Sequence, residues 1–370
     1  MCISLAVTTD VGSYPALSPR MTQCQESPYL VMSNEESFIL PPFRPHPLLR
    51  GGHRQTLAAY IFKGEQRRYS ATRHTIELPD GDRLILHDDC PANWGPGAPF
   101  VLLLHGLAGC HGSFYMIRVG GKLFDRGVRV FRLDHRGCGS GAKLARLPYH
   151  AGRSDDVRAA YECATGLCNG SLGGVVGFSL SGNMLLKMLG EDGQSNRVPP
   201  YLACAAAVNP PIDLELCGDA LRKRSNRFYD RHFTGLLARQ VRERIDQVAD
   251  APGPIGGFIP GRLREFDDKY TAPVSGFNGV YDYYASCSGA QFVPSINVPT
   301  LILTARDDPL IAVTSFEQLP AVPSVQVHIA ERGGHLGYIA RPGTDPDRRW
   351  MDWRVVEWLA AHLRFGVART

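Results

Sequence analysis

The sequence, 370 residues long, lacks any apolar stretch approaching the 18 or so residues a membrane-spanning helix needs, so no transmembrane segment is expected. It lacks a basic start followed by an apolar run, so no secretory signal is read at its amino end. Residues 1–40 are instead read as a poorly structured extension, with Met21 or Met32 as an alternative start of translation. Charge is nearly balanced: 40 Lys and Arg against 36 Asp and Glu leave a formal net charge of +4. No long basic block is interleaved with aromatics, which excludes the usual footprint of nucleic-acid binding. The ten cysteines are scattered, with no C-x-x-C and no Cys/His spacing of the zinc kind, so neither a metal site nor a disulfide framework is expected. Free thiols in a chain of this length point to a reducing, cytoplasmic setting. The glycines of "HGLAG" do not form G-x-G-x-x-G and no Walker lysine follows them, so no nucleotide is expected, and no organic cofactor.

What is present is an ordered alternation. Hydrophobic residues make up 44% and charged residues 21%, the balance of a globular protein with a sizeable core. "HTIELPDGDRLILHDD" alternates apolar and polar residues on either side of Pro79-Asp80-Gly81-Asp82 and reads as a hairpin. "FVLLL" (100–104) is a strand covered on both faces, followed by a helix opened by Ser113 and ending near Gly127. Strands at 128–134, 173–178 and 202–208 then alternate with helices at 154–167 and 180–191, and strands return at 299–305 and 325–330 before an amphipathic helix at 350–363. Strand and helix alternating in this way imply βαβ units: an α/β class fold, a mostly parallel twisted sheet flanked by helices. The α/β domain is expected over 41–370, with 210–298 inserted between core strands as a lid, or as decoration of the sheet edge.

The stretch "GFSLSGN" (177–183) nearly matches the nucleophile elbow G-x-S-x-G, and it lies between an apolar strand and a helix, as that elbow requires. Small residues are needed two places before and after the reactive serine, where strand and helix backbones approach. Ser179 has Gly177 and Ser181 there, whereas Ser181 would have the bulkier Asn183, so Ser179 is the expected nucleophile. A serine hydroxyl needs a base and the base an orienting acid. Of twelve histidines, His335 alone sits in a glycine-rich loop just past the last strand, while His328 lies within that strand. "LILTARDDPLI" places Asp307 and Asp308 after the preceding strand. Asp308 is preferred, being the fourth residue counted from Ala305, and Asp307 stays open as the alternative. The order Ser, Asp, His matches α/β hydrolases and neither of the other two familiar serine-enzyme orders. Two amide donors are needed for an oxyanion: the N–H of Leu180, after the nucleophile, and that of Leu107, in the loop after the first long buried strand.

Together "LLLHGLAG", "DHRGCGSG", "GFSLSGNM", "ARDDP" and "GGHLGY" resemble the α/β-hydrolase superfamily. With "GGHRQTL", "PYHAGRSDD" (148–156) and "REFDDKYTAPVSGFNGVYDYY" (264–284), the chain more narrowly resembles the YheT-like hydrolases over roughly residues 40–365. The resemblance implies a carboxylesterase using an acyl-enzyme on short- to medium-chain acyl or lipid esters. Eukaryotic relatives of the family act as phospholipases or ester-forming acyltransferases. Acyl transfer to an alcohol, or a catalytically weak binding module on the same fold, are the alternatives. The family glycine after the nucleophile is Ser181 here. The run 222–244, with eight Lys or Arg against two acidic residues, is either a solvated helix face or a peripheral membrane contact drawn to anionic lipid.

Overall fold

A computed structural model describes residues 38–366 apart from Arg68, Tyr69, Val198 and Phe258. The expected extension, all but its last three residues, and the alternative starts at Met21 and Met32 lie outside the described residues.

Eight strands form one sheet: β1 (Thr72–Glu77), β2 (Arg83–Asp89), β3 (Phe100–Leu104), β4 (Arg129–Asp134), β5 (Gly173–Phe178), β6 (Leu202–Val208), β7 (Thr300–Ala305) and β8 (Val325–Ala330). Their spatial order is β1-β2-β4-β3-β5-β6-β7-β8. β1 and β2 form the hairpin around Pro79–Asp82, and β2 runs antiparallel to β4; every other pairing is parallel. β3 shows how the apolar run "FVLLL" becomes a central strand. Phe100, Leu102 and Leu104 enter the core on one face and Val101 and Leu103 the core on the other, so all five residues are fully buried.

The helices α2 (Phe114–Phe124), α3 (Ser154–Gly166) and α4 (Leu180–Gln194) follow β3, β4 and β5. The first face is covered by α3 and α4 through Val157, Tyr161, Met184 and Met188. The second is covered by α2 and the last helix, Trp350–Leu363, through Val119, Leu123, Val356 and Leu359. The strands stay parallel across β3, but the winding order reverses there, with β4 laid on one side and β5 on the other. Crevices at the carboxyl ends of strands flanking such a reversal are where α/β sheets place ligands. The β3–β5 register pairs Leu104 with Gly177, so the loop after β3 and the residue after β5 emerge side by side there.

The structure adds two features to the sequence reading. Residues 52–61, valued only as a motif, form helix α1 (Gly52–Ile61). The interval 210–298 opens on two helices, α5 (Leu214–Arg222), capped by an Asp213 carboxylate that accepts from the Leu216 N–H at 2.9 Å, and α6 (Arg227–Gln247). Its second half is a chain of short helical turns ending in the helix Val280–Cys287 and two 3₁₀ turns.

Candidate active site

Ser179 ends β5 and precedes α4 with φ 51° and ψ −121°, a conformation that non-glycine residues rarely adopt. The turn is held by the Ser179 N–H donating to the Val208 carbonyl at 2.8 Å and by the Gly182 N–H donating to the Ser179 carbonyl at 2.8 Å. The Ser179 hydroxyl makes no helix-capping hydrogen bond, so it does not serve as a cap for α4. A Cβ at position 177 would come within 2.5 Å of the Ser181 carbonyl oxygen, so strand and helix close on each other here as the elbow geometry demands.

The loop after β8 delivers His335. Its Nε2 lies 2.9 Å from Ser179 Oγ and its Nδ1 2.8 Å from Asp308 Oδ2. The carboxylate of Asp308 is fixed on all sides. Oδ1 accepts from the N–H groups of Leu310 and Ile311 at 2.8 and 3.2 Å, and Oδ2 accepts from Asn209 Nδ2 at 2.7 Å. The ring is thereby assigned as protonated on Nδ1 and accepting at Nε2. Asp307, the alternative acid, points elsewhere: its Oδ1 accepts from the Gly334 N–H at 2.9 Å, and burial pushes its carboxyl above the usual carboxylate range.

Residues the sequence reading missed hold this loop. Helix α1 abuts it: Thr56 Oγ1 accepts from the His335 N–H at 2.9 Å, and Gln55, fully buried, bonds both the carbonyl and the N–H of Ile339 at 3.1 and 2.8 Å. Gly52 starts α1 where a Cβ would collide with the Asp307 carbonyl oxygen at 1.7 Å. The quoted motif "GGHRQTL" thus acts as a clamp on the histidine loop. Asn209, with φ 47° at the end of β6, ties Asp308 to the Gly334 carbonyl. No local pattern marks any of these, since each partner is 99 or more residues away.

The loop after β3 brings Leu107 to the same place. Its neighbours are spoken for: Gly106 N–H donates to Tyr115 Oη at 2.8 Å, Ala108 N–H to Tyr149 Oη, and Gly109 N–H to the Gly106 carbonyl at 3.1 Å. Among the described residues the N–H groups of Leu107 and Leu180 have no hydrogen-bond acceptor, and both residues line the cavity beside Ser179. Ser181, the departure from glycine, is absorbed behind this loop. Its buried hydroxyl donates to the His105 carbonyl and lies 2.8 Å from His135 Nε2, which donates to it. Burial, with the nearby His105 ring, drives the His135 pKa well down, so the imidazole is neutral and Nε2 carries its one proton. His105 belongs to the turn, its Nδ1 donating to the Gly106 carbonyl at 2.8 Å.

Over Ser179 and His335 lies a cavity walled largely by the 210–298 interval. Leu214, Leu221, Phe233 and Leu237 give it an apolar lining. Asp267, from the "REFDDKYT" segment, is in the wall, with its oxygens bonded by Thr271 Oγ1 and Tyr284 Oη at 2.8 Å each. Burial outweighs both bonds and raises its carboxyl to about 6. The folded protein then keeps a proton that the unfolded chain loses near pH 4, so this group's contribution falls as pH rises from about 4 to 6. Each tenfold change in acidity is about 1.4 kcal/mol, so ionising Asp267 costs the fold on the order of 3 kcal/mol by neutral pH. Asp267→Asn is therefore expected to gain stability relative to wild type between pH 4.5 and 7.5, read from urea midpoints. A stability difference identical at the two pH values would refute that.

Among the described residues one cluster has metal-ligand chemistry: ligand atoms of His87, His111 and Asp134 lie within 4.8 Å of one another. The Asp134 carboxylate there already receives His87 Nε2 at 3.0 Å, His111 Nδ1 at 2.8 Å and the N–H groups of His111 and Ser140 at 2.7 and 2.8 Å. Burial raises this carboxyl, but the histidine hydrogen bonds outweigh it and hold the pKa far below the usual range. The cluster is satisfied as a hydrogen-bonded brace between β2, β4 and the loop after β3.

A family model described as the alpha/beta hydrolase fold matches residues 99–342, and the chain belongs to that family. It is 30% identical over 320 residues to the protein YheT of Escherichia coli (strain K12), spanning 84% of this chain and 91% of that one, which sets it among the YheT-like hydrolases. It is 26% identical over 303 residues to a monoacylglycerol lipase of Saccharomyces cerevisiae, covering 78% of this chain and 62% of the lipase. Among solved structures the Pyrococcus furiosus esterase Pf2001 superposes with a TM-score of 0.51 at 16% identity, covering 88% of this chain and 100% of that one, a likeness of fold.

Proposed function

We propose that this carboxylic ester hydrolase works through an acyl-enzyme on Ser179, with His335 as base and Asp308 as the acid that orients it. The observation that carries the reading is the continuous hydrogen-bonded line from Ser179 Oγ through the His335 ring to Asp308, opening on an apolar cavity. Ser179 Oγ attacks the ester carbonyl while His335 Nε2 takes its proton, and Asp308 stabilises the imidazolium that forms. The N–H groups of Leu107 and Leu180 receive the oxyanion. Collapse of the tetrahedral intermediate expels the alcohol, which takes the proton back from His335, and water then repeats the cycle on the acyl-enzyme.

A cavity lined by leucine and phenylalanine favours short- to medium-chain acyl or lipid esters. A panel of p-nitrophenyl esters of graded length is expected to show turnover by the wild type with a chain-length optimum, and turnover near background by Ser179→Ala. Failure to hydrolyse any of them would overturn the reading. An alcohol could replace water in the second half-reaction, and a relative from Saccharomyces cerevisiae, 29% identical over 268 residues, is named a medium-chain fatty acid ethyl ester synthase/esterase. Product analysis with ethanol present separates transfer from hydrolysis.

The amino half of α6 and the turn before it, Arg224–Asn226, are proposed to meet anionic lipid. Arg224, Arg227 and Arg231 are exposed beside Phe228, which is 63% exposed, and the neighbouring α1 exposes Tyr60, Ile61 and Phe62. The Tyr60 and His232 rings, 5.8 Å apart, join the two patches. A basic residue at an anionic surface is worth about 1 kcal/mol, so exchanging these three arginines for glutamine should weaken binding to phosphatidylserine vesicles on the order of 100-fold. Co-sedimentation indifferent to anionic lipid would remove the idea. No described helix is long and apolar enough to cross a membrane. Eight cysteines among the described residues are free thiols, in keeping with the proposed reducing, cytoplasmic compartment.

A further inference from the structure

Six arginines are buried among the described residues, and five of them face a carboxylate. Arg118 meets Asp352 at 2.7 Å, Arg132 Asp89 at 2.8 Å, Arg136 Asp156 at 2.7 Å, Arg158 Asp192 at 2.9 Å and Arg354 Asp345 at 2.6 Å. The sixth, Arg244 on α6, is 3% exposed and is in no ion pair among the described residues. Its Nη1 donates to Tyr270 Oη at 2.9 Å and its Nε has no partner, so most of its five N–H donors find no acceptor among the described residues. Burying a charge without a counter-charge costs several kcal/mol, and the other five buried arginines among the described residues avoid that cost.

Arg244 also lies in the wall of the cavity that holds Ser179 and His335, where it is the one Arg or Lys among the described residues. Its neighbour in that wall, Asp267, is engaged by Thr271 and Tyr284 instead. The guanidinium is fixed in place by Tyr270 and by Gly137, where a Cβ would approach Nη2 to 2.3 Å. Along the same helix Phe233, Leu237 and Val241 precede it in the lining, so the apolar wall ends in a cation about 10 Å beyond Leu237 along the helix axis.

We propose that the ester taken by this site carries an anionic group, a carboxylate or a phosphate, which accepts hydrogen bonds from Arg244. The inference rests on the hydrolase reading above and adds the substrate's charge to it. An oxyanion can take two parallel N–H bonds from a guanidinium, which accounts for an arginine here in place of a lysine.

Two matched pairs test it. p-Nitrophenyl hexanoate against the mono-p-nitrophenyl ester of adipic acid puts a carboxylate at the end of the acyl chain. Monobutyrin against 1-butyrylglycerol 3-phosphate puts a phosphate on the alcohol side. The wild type is expected to favour the anionic member of at least one pair by tenfold or more in kcat/KM, and the pair that responds tells which part of the ester reaches Arg244. Arg244→Met should lower that ratio by about tenfold or more, and Arg244→Lys should keep part of it. The ratio is independent of how much of the variant folds. The same pairs are titrated calorimetrically into Ser179→Ala and Ser179→Ala/Arg244→Met, where no turnover is needed. Absence of turnover on all esters would sink the hydrolase reading. Ratios near one in the wild type, or an anionic preference that survives Arg244→Met in turnover and in binding, would sink this inference alone.

Discussion

Ser179→Ala is expected to lower kcat on p-nitrophenyl esters by about 10⁴- to 10⁶-fold while leaving KM within a few-fold of wild type. The serine is the one group on the proposed path that forms a bond to the substrate, so its loss cannot be spread over neighbours. Residual hydrolysis would come from Leu107 and Leu180 polarising the carbonyl toward a water, a contribution that persists when the nucleophile is gone. Ser181, two residues on, cannot take over. Its hydroxyl is fully buried and engaged by the His105 carbonyl and His135, and a Ser179→Ala enzyme that kept a tenth of its activity would show that the site had been read wrongly.

Asp308→Asn is expected to cost about 10⁴-fold in kcat, against less than about tenfold for Asp307→Asn. The side-chain amide would face His335 Nδ1 with a donor or a weaker acceptor, and the ring would lose the bond that keeps its proton on Nδ1. Nε2 could then no longer accept the serine proton. Asp307 is placed to brace the histidine loop through the Gly334 N–H, 2.9 Å away, so its loss should appear in stability more than in turnover. A larger catalytic loss at 307 than at 308 would reverse the assignment of the acid.

Much of this was legible in the sequence because it is local. The β3 run and its neighbours declare themselves by composition and period, and the strand, tight turn and helix around "GFSLSGN" fit within about 20 residues. His335 followed from its position after the last strand. Between Asp307 and Asp308 the structure adds side-chain direction, which the sequence lacks: adjacent carboxylates diverge, and the Leu310 and Ile311 amides with Asn209 turn the second one toward the imidazole. What stayed hidden depends on distant pairing. Helix α1 has little amphipathic pattern of its own, and its Thr56 matters only because it meets His335, 279 residues away. Ser181 read as a bare departure from glycine until its hydroxyl was seen bridging His105 and His135. Arg244 looked like one more charge on a basic helix, and only burial separates it from Arg239 and Arg242, which face outward.

Treatment with a fluorophosphonate, followed by digestion and mass mapping of the adduct, measures the central claim directly. A serine activated by His335 and facing an open oxyanion site should be phosphonylated at Ser179, with labelling lost in Ser179→Ala and slowed strongly in His335→Ala. An adduct on another residue, or an unlabelled folded protein, would contradict it.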